Sequence, residues 1–441
     1  RFLIRDAPTT LPVESAKSVQ LETERPDDIF QLIAQQNGPL WDYHPTMLAQ
    51  CLLWDKIHLV RTILVTLVRC LRGSDQMGRK QLVFARLDPK DYYMTEGAKP
   101  TGELHRKYDS LFDAASTDIS EDFDDLSTNL ITDLVERLDG DVALPLSNSE
   151  KSMLATIAQA TVEVDRQRRS LDLCGLRYLI SLRMYVNQNR RAGTRSSPTP
   201  ASSSQNPSAQ TLHPSRLSFR SIVWASHSES QEVLLSAATE CFPSGKMVWS
   251  DAKRLGVFLW LRSSETIRSQ LEVIARNRFM ADEDRDPTSC SLLFFALGKK
   301  KVVHGLWRQA PGHKEQQVML KFLSNDFEQE RWKRAALKNA YALLAKQRFG
   351  WLTSYLRKAL GSLEIEYAAA FFMLGGCPKD AINVCLRQVD DWQLAVALAR
   401  TVEGGTDGPL LKWILTETVV PLALAGGHRW LSTWAFWLLK R

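Results

Sequence analysis

Several stretches of this chain bring chemistry-bearing residues into spacings that known sites use, and each fails on a physical requirement. "GSDQMGRK", Gly73 to Lys80, has the glycine spacing of a loop that cradles phosphates. Such a loop needs a lysine for the outer phosphates and a Ser or Thr for magnesium, and it follows a strand. Arg79 and Lys80 hold those positions here and a helical pattern comes before, so the stretch reads as a loop ending a helix at Gly73. "DEDRDP", Asp282 to Pro287, starts like a calcium loop. Pro287 stands where the sharp turn requires Gly, and Leu293 where a bidentate Glu would close the site, so a solvated acidic turn is expected. The histidines (His44, His58, His105, His213, His227, His304, His313 and His428) show neither HxxxH nor HExxH spacing, and no metal site is expected from them. "SHSES", Ser226 to Ser230, crowds Ser, His and Glu together, but a catalytic triad is assembled across a fold, so adjacency carries no weight.

The remaining chemistry is equally bland. The seven cysteines (Cys51, Cys70, Cys174, Cys241, Cys290, Cys377 and Cys385) are odd in number, form no CxxC, and mostly sit in apolar helical runs. Buried thiols in a reducing compartment are the expectation, rather than disulfides or zinc. No nucleotide fingerprint occurs, no cofactor is implied, and no convergent polar cluster argues for an enzyme. A formal charge of +6 spread along 441 residues is too weak and dispersed for a nucleic-acid reading. Local basic clusters, "RQRR" (Arg166 to Arg169), "NRRAGTR" and "GKKK" (Gly298 to Lys301), read first as solvated faces or flexible tail, with contact to an acidic lipid surface or acidic partner as the alternative. A fourth set, Arg331, Lys333, Arg334 and Lys338, lies mainly outside the apolar stripe of its helix and is the candidate partner-binding surface. Of the 13 tryptophans, Trp249, Trp260, Trp307 and Trp332 are expected to pack in the core.

The elements that would position these residues are helical. "PTMLAQCLLWDK" opens with Pro45, suited to a first helical turn, and in the next stretch Val60, Ile63, Leu64, Leu67, Val68 and Leu71 keep the spacing of one buried face. The two form an α-hairpin. Ser147 or Ser149 starts a later helix, and Ser263 or Ser264 another. Asn325, three residues before Glu328, resembles a capping box for a helix whose stripe is Trp332, Ala336, Ala340, Leu343 and Leu344. In "EYAAAFFMLGGCPKDAINVCLRQVDDWQLAVALAR", Ala369, Phe372 and Met373 face inward, Gly375 and Gly376 break the helix, and Pro378 begins the next. Ala381, Val384, Cys385 and Val389 continue the stripe; Asp390 or Asp391 caps a third helix with Leu394, Ala395, Leu398 and Val402 inward. Short helices apolar on one side must stack to persist in water, so the fold class is all-α, an irregular α-solenoid of stacked helical hairpins with disordered linkers. The division is a polar segment 1–38, helical region 39–186, a disordered Ser/Pro-rich linker 187–215, and helical region 216–441. The chain opens without Met and stops within a helical pattern, so it reads as a piece of something longer, and no stretch has the roughly 20 apolar residues of a membrane span.

Four blocks in this order carry a family resemblance: "GPLWDYHPTMLAQCLLWDKIHLVRTILVTLVRCL", "CSLLFFALGKKKVVHGLWR", "KFLSNDFEQERWKRAALKNAYALLAKQRF" and the segment from Glu366 to Arg400. They resemble the large-subunit family of RAVE, the regulator of vacuolar ATPase assembly, whose animal relatives are the rabconnectin or Dmx-like proteins. The resemblance implies a non-enzymatic assembly factor that helps V1 rejoin Vo of the proton pump. It implies a cytoplasmic protein held peripherally on vacuolar or endosomal membranes. Its partners would be V1 peripheral-stalk subunits, the subunit bridging them to Vo, and other RAVE subunits including a Skp-type adaptor. A vesicle-coat or tethering solenoid is the rival reading. "GWLTSYLRKALGSLEI", Gly350 to Ile365, departs from the family and reads as intron-derived sequence or as a genuine extra helix with Trp351, Leu352, Tyr355, Leu356 and Leu360 on its stripe.

Overall fold

The computed structural model describes residues 41–77, 128–139, 144, 146–167, 170–195, 216–242, 245–281, 285–349 and 354–440. The chain divides into a unit of Arg1–Asp42, of which 41 and 42 are described, and a unit of Tyr43–Arg441 that holds everything below. Among the described residues there are helices and no strands, as the periodicity requires.

The first helices run α1 (Pro45–Leu53), α2 (Ile57–Met77), α3 (Thr128–Asp139), α4 (Asn148–Gln167) and α5 (Leu173–Arg195). Pro45 opens α1, and His44 Nδ1 accepts the Thr46 N–H at 3.2 Å. Packed against α1 as a hairpin, α2 has Val60, Ile63, Leu64, Leu67, Val68 and Leu71 all buried. It does not end at Gly73: the backbone stays helical to Met77, because a lone glycine away from a left-handed turn weakens a helix by only about 1 kcal/mol. The phosphate-loop spacing therefore falls on a helix, and Gly78 to Lys80 lie outside the described residues. A reciprocal capping box starts α4: Ser147 Oγ accepts from Glu150 N–H and Glu150 Oε2 accepts from Ser147 N–H at 2.7 Å.

Of the expected linker 187–215, positions 187–195 have the helical backbone of α5; positions 196–215 lie outside the described residues. Its two flanks pack on each other. After it come α6 (Phe219–His227) and α7 (Gln231–Glu240), and both touch α5. Asp172 fastens the joint, its carboxylate accepting from Gly175 N–H (2.7 Å), Ser228 Oγ–H (2.9 Å) and Glu229 N–H (2.7 Å). Burial works to raise that carboxyl, but these donors outweigh it and hold it below the usual range.

The chain continues through α8 (Trp249–Leu255), α9 (Val257–Trp260), α10 (Ser264–Ala281), α11 (Thr288–Ala296), α12 (Lys300–Arg308), α13 (Gln316–Leu323), α14 (Glu330–Phe349) and α15 (Ser354–Leu374). Ser263 caps α10. Asn325 is not the cap of α14; its amide donates to the carbonyls of Lys321 and Phe322 and closes the end of α13, because α14 starts only at Glu330. Within the inserted stretch, backbone from Ser354 onward is helical and continuous with the rest of α15, while 350–353 lie outside the described residues.

The last elements are α16 (Pro378–Val384), a π turn (Cys385–Val389), α17 (Trp392–Glu403), α18 (Pro409–Ile414), a second π turn (Leu415–Val419), α19 (Val420–Ala425) and α20 (Arg429–Leu439). Gly376, at φ +76°, makes the break before α16. Asp391 caps α17 through the Leu394 N–H at 3.1 Å. Met373 and Val389 are only half-buried and Val402 is exposed. The expectation of one-sided helices fails at α11 and α17, where Ser289–Ala296 and Gln393–Thr401 are buried all round. A helix sheathed on every side carries no amphipathic stripe to read.

Neighbour stacking is present, as a solenoid expects: α14 packs on α15, and α15 on α16. Packing across long separations adds to it. Later helices close over earlier ones, with α17 on α9, α10 and α11, and α20 on α6. The hub is α9. Its residues Val257, Phe258, Leu259 and Trp260 are all buried, and a four-residue helix cannot satisfy its own last carbonyls. Distant side chains do so instead. Arg400 Nη1 donates to Phe258 O at 2.6 Å and its Nη2 to Leu261 O, Trp434 Nε1 donates to Leu259 O at 3.2 Å, and Gln231 Nε2 donates to Trp260 O at 2.8 Å. Burial without a carboxylate lowers the Arg400 guanidinium to about 10.

Candidate interaction surface

The helix α14 is rich in Ala, Leu, Lys and Arg, good helix formers that need little tertiary help. Ala336 and Ala340 are buried, and Trp332, Leu343 and Leu344 lie half-buried against the core, so the stripe read from the sequence is the packed face. Small residues let the helices approach closely: a side chain at Gly375 would meet Leu337 at 2.9 Å. Opposite that face, Arg331, Arg334 and Lys338 are exposed. Their spacing of i, i+3 and i+7 sets them on one side, together with Tyr341, which is 59% exposed while its ring meets Phe372 edge-on at 5.1 Å. Lys333 is not part of this group. It is half-buried on the other flank, 3.9 Å from Glu330, because two residues of helix turn it about 200° from Arg331. The face thus joins cationic heads to an aromatic ring, a composition suited to an acidic protein surface.

The other residues singled out by spacing have structural tasks. Of the Gly298–Lys301 cluster, Lys299 pairs with Glu272, and Lys300 donates to Asn325 O at 2.7 Å while lying over Phe327. Of its three lysines, Lys301 alone is exposed and outside these contacts. Ser226 donates to Val223 O, His227 stacks on Trp437, and Ser228 belongs to the Asp172 joint, so "SHSES" is a helix-ending loop. Asp286 accepts from Thr288 N–H at 2.8 Å and starts α11. Trp260 and Trp307 are fully buried, Trp332 packs against the core, and Trp249 donates to Asp391 at 2.9 Å. All seven cysteines are free thiols. Burial pushes Cys51 up to about 11 and Cys290 up to about 12, and it raises Cys385 well above the ordinary thiol value, so these stay protonated and poorly nucleophilic. Among the described residues no three His, Cys, Asp or Glu side chains group as metal ligands, and no helix is long and apolar enough to cross a membrane.

Two features escaped the sequence reading. Leu424, Trp430 and Trp437 are exposed near the end of the described chain. Arg216, Arg220, His428 and Arg429 line a shared cavity although about 200 positions separate the two pairs. No local spacing announces a meeting at that separation.

The comparisons with known proteins agree with the blocks noted above. The profile of the family described as "RAVE protein 1 C terminal" matches residues 2–441. A protein of Saccharomyces cerevisiae named "Regulator of V-ATPase in vacuolar membrane protein 1" is 30% identical over 420 residues, covering 94% of this chain and 26% of that protein. The protein of the same name from Schizosaccharomyces pombe is 31% identical over 424 residues, 94% of this chain and 29% of that protein. "DmX-like protein 1" of Mus musculus is 35% identical over 258 residues, 57% of this chain and 7% of that protein. The chain thus spans between a quarter and a third of the length of the fungal relatives. On the strength of a match that runs from residue 2 to the last residue, the chain belongs to the RAVE protein 1 C-terminal family.

Proposed function

We propose that this chain acts in regulating the V-ATPase, as the helical part of a scaffold that promotes association of V1 with Vo and transforms no molecule itself. The observation that carries the proposal is the family match over nearly the whole chain, joined to fungal relatives whose names describe regulators of the V-ATPase in the vacuolar membrane. The division into helical regions 39–186 and 216–441 joined by 187–215 serves this role through one packed body, an expectation supported by the described residues from Tyr43 onward belonging to one unit. The partners are V1 peripheral-stalk subunits and the subunit bridging them to Vo, with a Skp-type adaptor bound alongside. The protein works in the cytoplasm at the vacuolar or endosomal surface. Free thiols and the lack, among described helices, of a membrane-crossing segment are compatible with that setting.

The docking face is the exposed row Arg331, Arg334, Lys338 and Tyr341 on α14. Cations of this kind steer an acidic partner and lose strength as salt rises. Pull-down of V1 stalk subunits by the full chain tests both levels. Arg331→Glu, Arg334→Glu and Lys338→Glu together are expected to abolish recovery, whereas Lys333→Glu, on the other flank, leaves most of it. Recovery by the triple variant would remove α14 from the interface. No recovery by the folded wild-type chain would remove the assembly role.

A further inference from the structure

A cavity of about 820 Å³ opens where α1 and α5 meet the starts of α6 and α20. Among the described residues its charged lining has one sign: Arg216, Arg220 and Arg429 with His428 beside them, and no carboxylate. Arg216 lies 4.0 Å over the Phe219 ring, and its Nη2 donates a long bond, 3.4 Å, to His428 Nε2. A guanidinium can only donate, so this contact supplies no counter-charge. Burial lowers the Arg216 guanidinium from its ordinary value with no opposing contribution. Arg220 lies over Trp224 at 5.0 Å, again without an acidic partner among the described residues.

Other polar groups there also favour negative charge. The first turns of α6, nine residues long, and α20, eleven residues long, both line the cavity. Ser218 Oγ takes the Ser221 N–H and Gly427 O the Arg429 N–H, and the other N–H groups of a first turn carry partial positive charge that suits phosphate oxygens. Hydroxyls of Thr46, Ser181, Tyr185, Ser218 and Ser221 and the amide of Gln50 also line it. Guanidinium forks match phosphate oxygens two at a time, and the volume exceeds what one phosphate fills while falling in the range of small-ligand sites. The cationic groups gather at one place and not along a groove, which favours a compact anion over an extended acidic peptide.

We propose that this cavity binds a compact anion carrying several phosphate groups, either free in solution or as the headgroup of a membrane lipid. The site is separate from the α14 face and stands whether or not α14 contacts the pump.

Titration calorimetry of the full chain with inositol hexakisphosphate, and with pyrophosphate, tests it. Saturable binding of one molecule per chain is expected, weakening as salt rises. Arg220→Gln with Arg429→Gln, both exposed positions, is expected to weaken binding about tenfold or more, the loss of two charge-assisted contacts. Lys301→Gln with Arg308→Gln removes the same charge outside the cavity and is expected to leave affinity within about twofold, since distant charges are screened. Circular dichroism confirms that each variant is folded. Co-sedimentation with phosphatidylcholine vesicles, with and without phosphatidylinositol bisphosphate, separates the sources. Retention that needs the phosphorylated lipid and is lost in the Arg220/Arg429 variant assigns a headgroup; binding of the soluble probes alone assigns a free ligand. Absence of saturable binding by both probes and vesicles, equal affinity in the two double variants, or tighter variant-sensitive binding of a phosphopeptide overturns the proposal.

Discussion

Substituting alanine for Gly256 is the most searching single perturbation of this fold. Gly256 joins α8 to α9 at φ +62° and ψ 31°, a left-handed conformation that costs an L-residue with a side chain about 1–2 kcal/mol. A Cβ built there would also lie 2.5 Å from Ile222 Cδ1 and 2.9 Å from its Cγ1, contacts that real side chains do not tolerate. Ile222 is 3% exposed on α6, so it can yield only by displacing packed neighbours, and overpacking of this kind costs about 1–3 kcal/mol. Gly256→Ala is therefore expected to lose about 2–5 kcal/mol in all. Equilibrium urea unfolding, followed by circular dichroism and tryptophan fluorescence, measures the loss. Ile222→Ala separates the two causes: it removes the clashing atoms, so in its background Gly256→Ala should lose only the backbone share, about 1–2 kcal/mol. The coupling between the sites, about 1–3 kcal/mol, is then the clash. An equal loss in both backgrounds, or no shift of the midpoint, would refute the reasoning that α6 and the α8–α9 junction are pressed together.

Other expectations follow from the same packing. Trp434→Phe removes the donor to Leu259 O while keeping most of the ring, and leaving that buried carbonyl unmet should cost about 1–3 kcal/mol in urea unfolding. Alkaline pH should weaken the fold. Cys51 and Cys290 ionise near 9.0 when unfolded but near 11 and 12 when folded, so their contribution is complete below pH 9 and drains away as pH rises through those values. Cys290→Ala should flatten the slope of thermal midpoint against pH in that window. Acid acts through Asp172, whose folded carboxyl is held below 3.8, so its contribution is complete above that pH and is lost as pH falls through the folded value. Asp172→Ala, which strands the N–H groups of Gly175 and Glu229, should lower the unfolding midpoint at neutral pH and remove that part of the acid slope.

Much of this architecture is legible residue by residue wherever the cause is local. The stripe from Val60 to Leu71, the box of Ser147 with Glu150, Pro378 at a helix start and the Asp391 cap all depend on spacings within one or two turns. Asn325 misleads for the same reason. Its spacing to Glu328 fits a helix start, yet the carbonyls of Lys321 and Phe322 lie as close in sequence and take its amide. What could not be read depends on distant partners. Arg400 sits in an apolar pattern as an apparent surface cation, and only the carbonyls of Phe258 and Leu261, some 140 positions earlier, explain why it is buried. On α14 the grouping was half legible: rotation per residue separates Lys333 from Arg331, Arg334 and Lys338, whereas the exposure of Tyr341 on the same side appears only once α15 is in place.

The way α9 is satisfied has a consequence for synthesis. Its Trp260 carbonyl finds Gln231 as soon as both have left the ribosome, but Leu259 waits for Trp434, 175 residues later. During that interval a wholly apolar turn with open acceptors stays exposed to water and to other nascent chains. Closure is bound to come late, because long loops must be ordered before such contacts repay their entropy. Ribosome-bound lengths stopping short of position 434 should therefore remain sensitive to protease around residues 257–261, and should need a chaperone's cover that the completed chain no longer requires.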